Sequence, residues 1–192
     1  LDAAGLKAVE DDCIRDVVAK QEEVGLKAVT DGEFRRSWWH FDFLAGLEGV
    51  EWIEADALQF AGVETKSESI GVTGKVGFDH HYMLEHFKYL KSVAKGTPKM
   101  TIPAPSVLHF RGGRKSISAD VYPDMDEFFH DTAEAYKKAV AAFYEAGCRY
   151  LQFDDTVWAY LCSEAEREAA RERGDNPDPL PEIYAGMINH AL

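Results

Sequence analysis

Hydrophobic and polar positions along this chain follow a repeating grammar: an amphipathic helix, a glycine, a short apolar strand, then acid. In the first unit Val9, Cys13 and Val17 recur at i, i+4 and i+8, with Ile14 and Val18 beside them, which predicts one helix face. Gly25 suits a left-handed C-cap, residues 26–30 read as a strand, and Asp31-Gly32-Glu33 follow at its C-terminal end. A later unit repeats the order. Asp124 to Glu127 has capping-box spacing with Asp in the cap position. Phe129, Ala133, Tyr136, Val140 and Phe143 form a helical stripe, Gly147 ends it, residues 148–153 read as a strand, and Asp154-Asp155 close it. A third unit is looser: Phe87, Leu90 and Ala94 suggest a helix face, Gly96 ends it, and a short strand lies within residues 98–106, where Pro103 and Pro105 limit regular pairing. Residues 50–76 read as a loop excursion with a small hairpin, and 164–181 as a solvated helix and a loop.

Helix–strand alternation at these intervals predicts a parallel sheet with helical crossovers. No G-x-G-x-x-G follows a strand, which removes support for a dinucleotide-binding open sheet. Acids at C-terminal strand ends suit a (β/α)8 TIM barrel, where that face carries the active site. The expected fold is therefore α/β, a barrel incomplete in this chain, with residues 1–192 forming one partial domain. Both ends read as cuts through a longer protein: residue 1 is Leu, and the chain stops inside a predicted helix over 183–191. On that reading Ile183 and Met187 have no following strand to pack beside, and unpaired barrel edges favour self-association.

Composition narrows the functional classes. Thirty-four Asp and Glu against 21 Lys and Arg give a formal net charge of -13, which repels nucleic-acid backbones. The three cysteines, Cys13, Cys148 and Cys162, are scattered and odd in number, as expected of idle thiols in a reducing cytoplasm. No apolar run approaches a membrane span and no signal peptide is visible.

Three stretches carry candidate chemistry. Residues 31–43 pack acids, arginines, a histidine and aromatics after the first strand, among them Asp31, Glu33, Arg35, Trp38, Trp39 and His40. Aromatic walls and charged groups of this kind orient polar ligands, and an aromatic loop packed over the rim is the equal alternative. Residues 152–160 place Asp154 on the same strand face as Gln152 and Tyr150, with Asp155 and Trp158 just beyond. Such paired acids bind an ammonium, hold a metal or divide acid/base work, or one of them caps the next helix. In residues 101–114, Gly112-Gly113 between Arg111 and Arg114 form either an anion cradle or a plain turn. His80, His81 and His86 fall on one predicted helix, but the spacing from His81 to His86 is about 140° around it. No H-E-x-x-H, H-x-x-x-H or G-x-S-x-G occurs.

Residues 29–39, 100–106 and 151–158 resemble the single-barrel relatives of cobalamin-independent methionine synthase, in order and over nearly the whole chain. The resemblance implies zinc-dependent methyl transfer to the thiol of homocysteine, from a folate-type donor, 5-methyltetrahydropteroyl-glutamate. It implies that Glu33 and Asp154 hold the homocysteine amino group. It places the family's first strand and its zinc ligands, a His-x-Cys, a Glu and a second Cys, outside this chain, so no metal ligand is expected within it. Where folate-dependent members have Asp-Glu-Pro, this chain has Asp154-Asp155-Thr156, and their folate-stacking Trp falls near Phe110 or Arg111. Two other readings stand beside this one: a sister thiol alkyltransferase using coenzyme M or a corrinoid-bound methyl, and a non-catalytic fragment that binds a ligand or partner.

Overall fold

The computed structural model describes residues 1–54 and 68–192. Helix α1 (Ala3–Glu23) is capped by Asp2, whose side chain accepts from Gly5 N. Its buried face is Ile14 and Val18; Val9, expected on that face, is 48% exposed, and at that end the helix is held instead by polar contacts of Glu10 and Asp11 with Arg35 and Tyr89. Strand β1 (Ala28–Val29) follows the predicted glycine, Gly25, which has φ 88°. Regular pairing is shorter than the predicted 26–30, because the Gln21 side chain of α1 takes both the N–H and the C=O of Thr30. Helix α2 (Phe41–Leu44) and an antiparallel hairpin, β2 (Glu48–Glu54) and β3 (Glu68–Gly77), come next, as the alternation over 50–76 predicts; residues 55–67 of that stretch lie outside the described residues.

The chain returns through α3 (Met83–Val93) to β4 (Thr97–Pro98) and β5 (Met100–Pro103). These two short strands act as one extended segment. Lys99 N donates to Val29 O at 2.8 Å on one side, and Met100 N donates to Tyr150 O at 3.0 Å on the other. Helix α4 (Pro105–Phe110), a 3₁₀ turn (Gly113–Ser116) and α5 (Met125–Glu145) lead to β6 (Leu151–Asp154). Short helices α6 (Val157–Leu161) and α7 (Glu164–Glu172) precede α8 (Leu180–Ala191). β1 pairs in parallel with β4, and β5 with β6. The formal ladders are separate two-stranded pieces, but the shared segment 97–103 puts the three predicted strands side by side and parallel. The result is an open parallel sheet with helical crossovers; no closed barrel forms among the described residues.

The predicted α5 stripe is shifted in part. Ala133, Tyr136 and Phe143 are buried as expected, whereas Phe128 and Ala139 are buried instead of Phe129 and Val140, because α5 is covered on a second side by α8. That packing also corrects the expectation for the last helix. Leu180, Tyr184, Met187 and Ala191 are buried against the core, and His190 bonds Glu134 of α5, so Met187 needs no following strand. His80 and His81 precede α3 rather than lie on it, and only His86 is helical. No described helix is long and apolar enough to cross a membrane.

Candidate functional site

The C-terminal ends of β1, β5 and β6 carry the residues that the sequence singles out. The turn after β1 is sharp: Gly32 has φ 67° and Glu33 has φ 58°, the one described non-glycine residue with positive φ. A left-handed glutamate costs on the order of 1 kcal/mol, and such strain persists where the surroundings fix it. Here they do. The buried Asp31 carboxylate accepts from Glu33 N at 3.0 Å, closing an Asx turn. Asp31 is thus a support for Glu33 rather than a group facing a pocket. The Glu33 Oε1 atom accepts from Thr101 Oγ1 at 3.1 Å and from Arg36 Nη1 at 3.2 Å. The Arg36 side chain is only 3% exposed, and a second nitrogen reaches Met100 Sδ at 3.8 Å.

At the end of β6, Gln152 Nε2 donates to Asp154 Oδ1 at 2.6 Å, so the two do share a strand face. Thr101 and Gln152 are registered partners on adjacent strands. Glu33 and Asp154 are therefore each one hydrogen bond from the same registered pair. In each carboxylate one oxygen is held by fixed donors, and the other accepts no hydrogen bond among the described residues. Two carboxylates with free lone pairs, on strand ends either side of the segment 97–103, can receive a multi-donor cation such as an ammonium.

The neighbouring acid has a different task. Asp155 accepts from Ser106 Oγ at 2.7 Å and from the Trp158 indole, which fastens α4 and α6 to the strand end. Arg35, offered by the sequence as a pocket residue, points the other way. Its guanidinium pairs with Glu10 and Asp11 of α1 and stacks over Tyr89 at 4.7 Å. The residue that faces the site is its neighbour Arg36. The strand period places Gln152 on the Asp154 face, whereas Arg36, Thr101 and Ser106 lie within the candidate stretches without being singled out as site residues. For Arg36 the doubled arginine gave a signal, and nothing in it said which of the two turns inward.

The candidate aromatics fall in two clusters. Trp39 and Phe41 stack on His40 at 4.5 and 3.9 Å, and Trp38 stands edge-on to it at 6.0 Å. Phe110 packs against Tyr160, with the Arg173 guanidinium 5.6 Å from its ring. Burial lowers the pKa of His40 to about 3, with the Arg111 charge adding to it, and burial first among several causes lowers that of His86 to about 4. A group whose folded pKa lies below its unfolded value of 6.5 leaves stability unchanged above pH 6.5. Below that pH the unfolded chain takes up the proton first, so stability falls. We expect urea midpoints measured between pH 6 and pH 4 to drop with roughly 1.4 kcal/mol per pH unit from each of these two histidines. His40→Phe should remove one such contribution from the slope; an unchanged slope would count against a buried, neutral His40.

The Gly112-Gly113 turn does cradle an anion, but it is the chain's own. Arg114 N donates to Asp175 Oδ1 at 3.1 Å, and a Cβ on Gly113, φ 62°, would stand 2.2 Å from Asp175 Oδ2. His109 lies between Asp175, at 3.3 Å from Nε2, and Tyr184 Oη, at 2.6 Å from Nδ1. Among the described residues no three His, Cys, Asp or Glu side chains gather as a site for the zinc that the resemblance implies would need.

No family model matches the chain. It is 50% identical over 192 residues to YxjH of Bacillus subtilis and 49% identical over 193 residues to YxjG of the same organism, both uncharacterized. Each match covers 99% of this chain and 50% of the relative. A Listeria monocytogenes protein provisionally described as a vitamin-B12-independent methionine synthase matches with TM-score 0.78 and 42% identity, over 100% of this chain and 52% of that one. A Shewanella protein, described as a B12-independent methionine synthase in complex with selenomethionine, shares the fold with TM-score 0.66 and 21% identity, over 90% of this chain and 50% of its own. In sequence and fold the chain is similar along its whole length to a protein described as a vitamin-B12-independent methionine synthase, a name that denotes a methyltransferase. It spans about half the length of the relatives it matches.

Proposed function

We propose that the protein containing this chain transfers a methyl group to the thiol of homocysteine, forming methionine. The observation that carries this reading is the pair Glu33 and Asp154, each presenting one free carboxylate oxygen beside the registered residues Thr101 and Gln152. An amino acid is the ligand class such a pair fits: its ammonium has three donors, and two carboxylates fix its direction as well as its charge. Held by the amine, the substrate has its side-chain sulfur aimed away from the clamp. The sulfur attacks as thiolate, the S–CH3 bond forms as the bond from methyl to donor breaks, and the electron pair leaves with the donor. Arg36 and Thr101 keep Glu33 in one orientation, and Gln152 does so for Asp154. No step is assigned to zinc, because the described residues do not make its site.

For the donor, the family reading is 5-methyltetrahydropteroyl-glutamate. A second reading, a donor that is not a folate, is favoured by two local features. Asp155 is bonded to Ser106 and Trp158, and Phe110-Arg111 stand where folate-dependent members have a stacking Trp. The test is methionine formation by the whole protein from homocysteine with the folate donor and, separately, with methylcobalamin or methyl-coenzyme M. Methionine from any of these supports thiol methylation, and the active donor decides between the two readings. No methionine from any donor, with no homocysteine binding, overturns the proposal.

A further inference from the structure

At the N-terminal ends of the strands, opposite the face that carries Glu33 and Asp154, lies an open hollow of about 630 Å³. Four cations line it: Lys27 just before β1, Lys91 in the last turn of α3, Lys95 just before β4, and Arg149 just before β6. No described Asp or Glu lines it, although the chain carries 34 acids against 21 Lys and Arg. None of the four side chains is ion-paired among the described residues.

The backbone fixes this arrangement. Thr97 N donates to Lys27 O at 2.9 Å, which sets the loops before β1 and β4 side by side. The Lys91 ammonium lies over Gly147, where a Cβ would stand 2.1 Å from it, and donates to Ala146 O at 3.3 Å. Arg149 Nη1 donates to Tyr144 O at 2.7 Å and to Cys148 O at 3.0 Å, and its guanidinium lies 3.7 Å from the centre of the Tyr144 ring. Cations near a helix C-terminus satisfy its last carbonyls and complement its dipole. That role accounts for the Lys91 bond and for Arg149 Nη1 at the end of α5. It leaves Arg149 Nε and Nη2, and the whole Lys27 ammonium, without an acceptor among the described residues. Glu22 and Glu23 line the neighbouring hollow. Glu22 accepts from Lys95 N at 2.6 Å and Gly96 N at 3.0 Å, and its charge acts on Lys95, so Lys95 is the most nearly compensated of the four.

A cleft lined by one sign of charge focuses the field on an ion of the other sign. We propose that this hollow binds a small oligophosphate, either free pyrophosphate or the diphosphate of a nucleotide, at the end of the sheet away from the amine clamp. Lysines act on phosphate as point charges, and the free edge of Arg149 presents two donors to its oxygens. A diphosphate carries oxygens on two centres and so meets cations from more than one of the loops at once. The site stands whether or not the protein methylates a thiol. Calorimetric titration of the whole protein with pyrophosphate, ADP and orthophosphate tests it. Pyrophosphate should bind saturably and more tightly than orthophosphate, and less tightly as salt is raised. Lys27→Ala combined with Lys91→Ala should weaken it by roughly 5- to 10-fold, the scale of two exposed charge contacts. Arg149→Ala should weaken it by about 10-fold or more, as loss of a charge-assisted hydrogen bond does, and Arg149→Lys should retain part. Lys137→Ala combined with Lys138→Ala, exposed on α5 and outside the hollow, should bind as wild type does. ADP binding at least as tight as that of pyrophosphate assigns a nucleotide; weaker or absent ADP binding assigns the free diphosphate. No saturable binding of pyrophosphate or ADP, wild-type affinity in the Lys27 and Lys91 variant, an equal loss in the Lys137 and Lys138 variant, or displacement by homocysteine would overturn the site. Because Lys27 makes no side-chain bond in the fold, the first of these variants remains informative even where Arg149→Ala fails to fold.

Discussion

Glu33→Gln or Asp154→Asn in the whole protein should lower homocysteine affinity by roughly 10- to 100-fold, the loss of one charge-assisted hydrogen bond of about 1.5–3 kcal/mol. Metal content should stay at the wild-type level. The two substitutions keep size and one acceptor oxygen but remove the negative charge that an ammonium requires. Gln at position 33 retains the carbonyl oxygen that Thr101 and Arg36 bond, so the turn over Asp31 is kept and the effect is on the ligand rather than the fold. Asn at position 154 is bonded by Gln152 in the same way. The desamino thiol 4-mercaptobutanoate supplies the control. Having no ammonium, it should bind wild type and both variants alike. Equal homocysteine affinity in wild type and both variants would remove the amine-clamp role, whatever their catalytic rates.

Much of this face was legible in the sequence, because it is built from local signals. In the first and last units the glycine before the strand does end a helix, Gly25 and Gly147 having φ 88° and 96°, and the acid after the strand does sit at its C-terminal end, whereas in the looser unit α3 stops at Val93, before Gly96. The period of two along residues 150–154 correctly put Gln152 and Asp154 on one face. What the sequence hid is set by tertiary partners. Whether Arg35 or Arg36 turns inward depends on where Glu10 and Asp11 of α1 lie, 24 or more positions away. The burial of Met187 depends on α8 docking on α5, which no periodicity in either helix announces. The split of Asp154 from Asp155 depends on Ser106, 49 positions upstream, taking one of the two carboxylates.

The least legible feature predicts the largest loss of stability: Asp175→Ala should destabilise the protein by about 3–5 kcal/mol, the usual result of removing one partner from a buried charged cluster. Burial alone would raise the Asp175 pKa, yet the hydrogen bond and field of His109, Arg114 N and the Arg173 charge together lower it, so the carboxylate is held ionised. Three groups converge on it: His109 of α4, Arg114 N of the 3₁₀ turn and the nearby Arg173. Asp175 only accepts, so His109 Nε2 donates to it, while Nδ1 meets Tyr184 Oη on the other side of the ring. Alanine at 175 leaves His109 Nε2 and Arg114 N without acceptors in a site where each is costly to bury unpaired. The loss propagates to α4, which His109 ties to α8 and which also carries Ser106, Phe110 and Arg111. Asp175→Asn keeps one acceptor oxygen and should cost about half as much. Gly113→Ala should mimic the alanine variant from the opposite side, since its Cβ displaces the carboxylate and its φ of 62° disfavours any side chain. At roughly 2–4 °C per kcal/mol for a chain of this size, the melting midpoint of Asp175→Ala should fall by about 10 °C. Agreement within about 2 °C of wild type, on the same scale, would show that the loop over residues 173–179 is held by something other than this cluster.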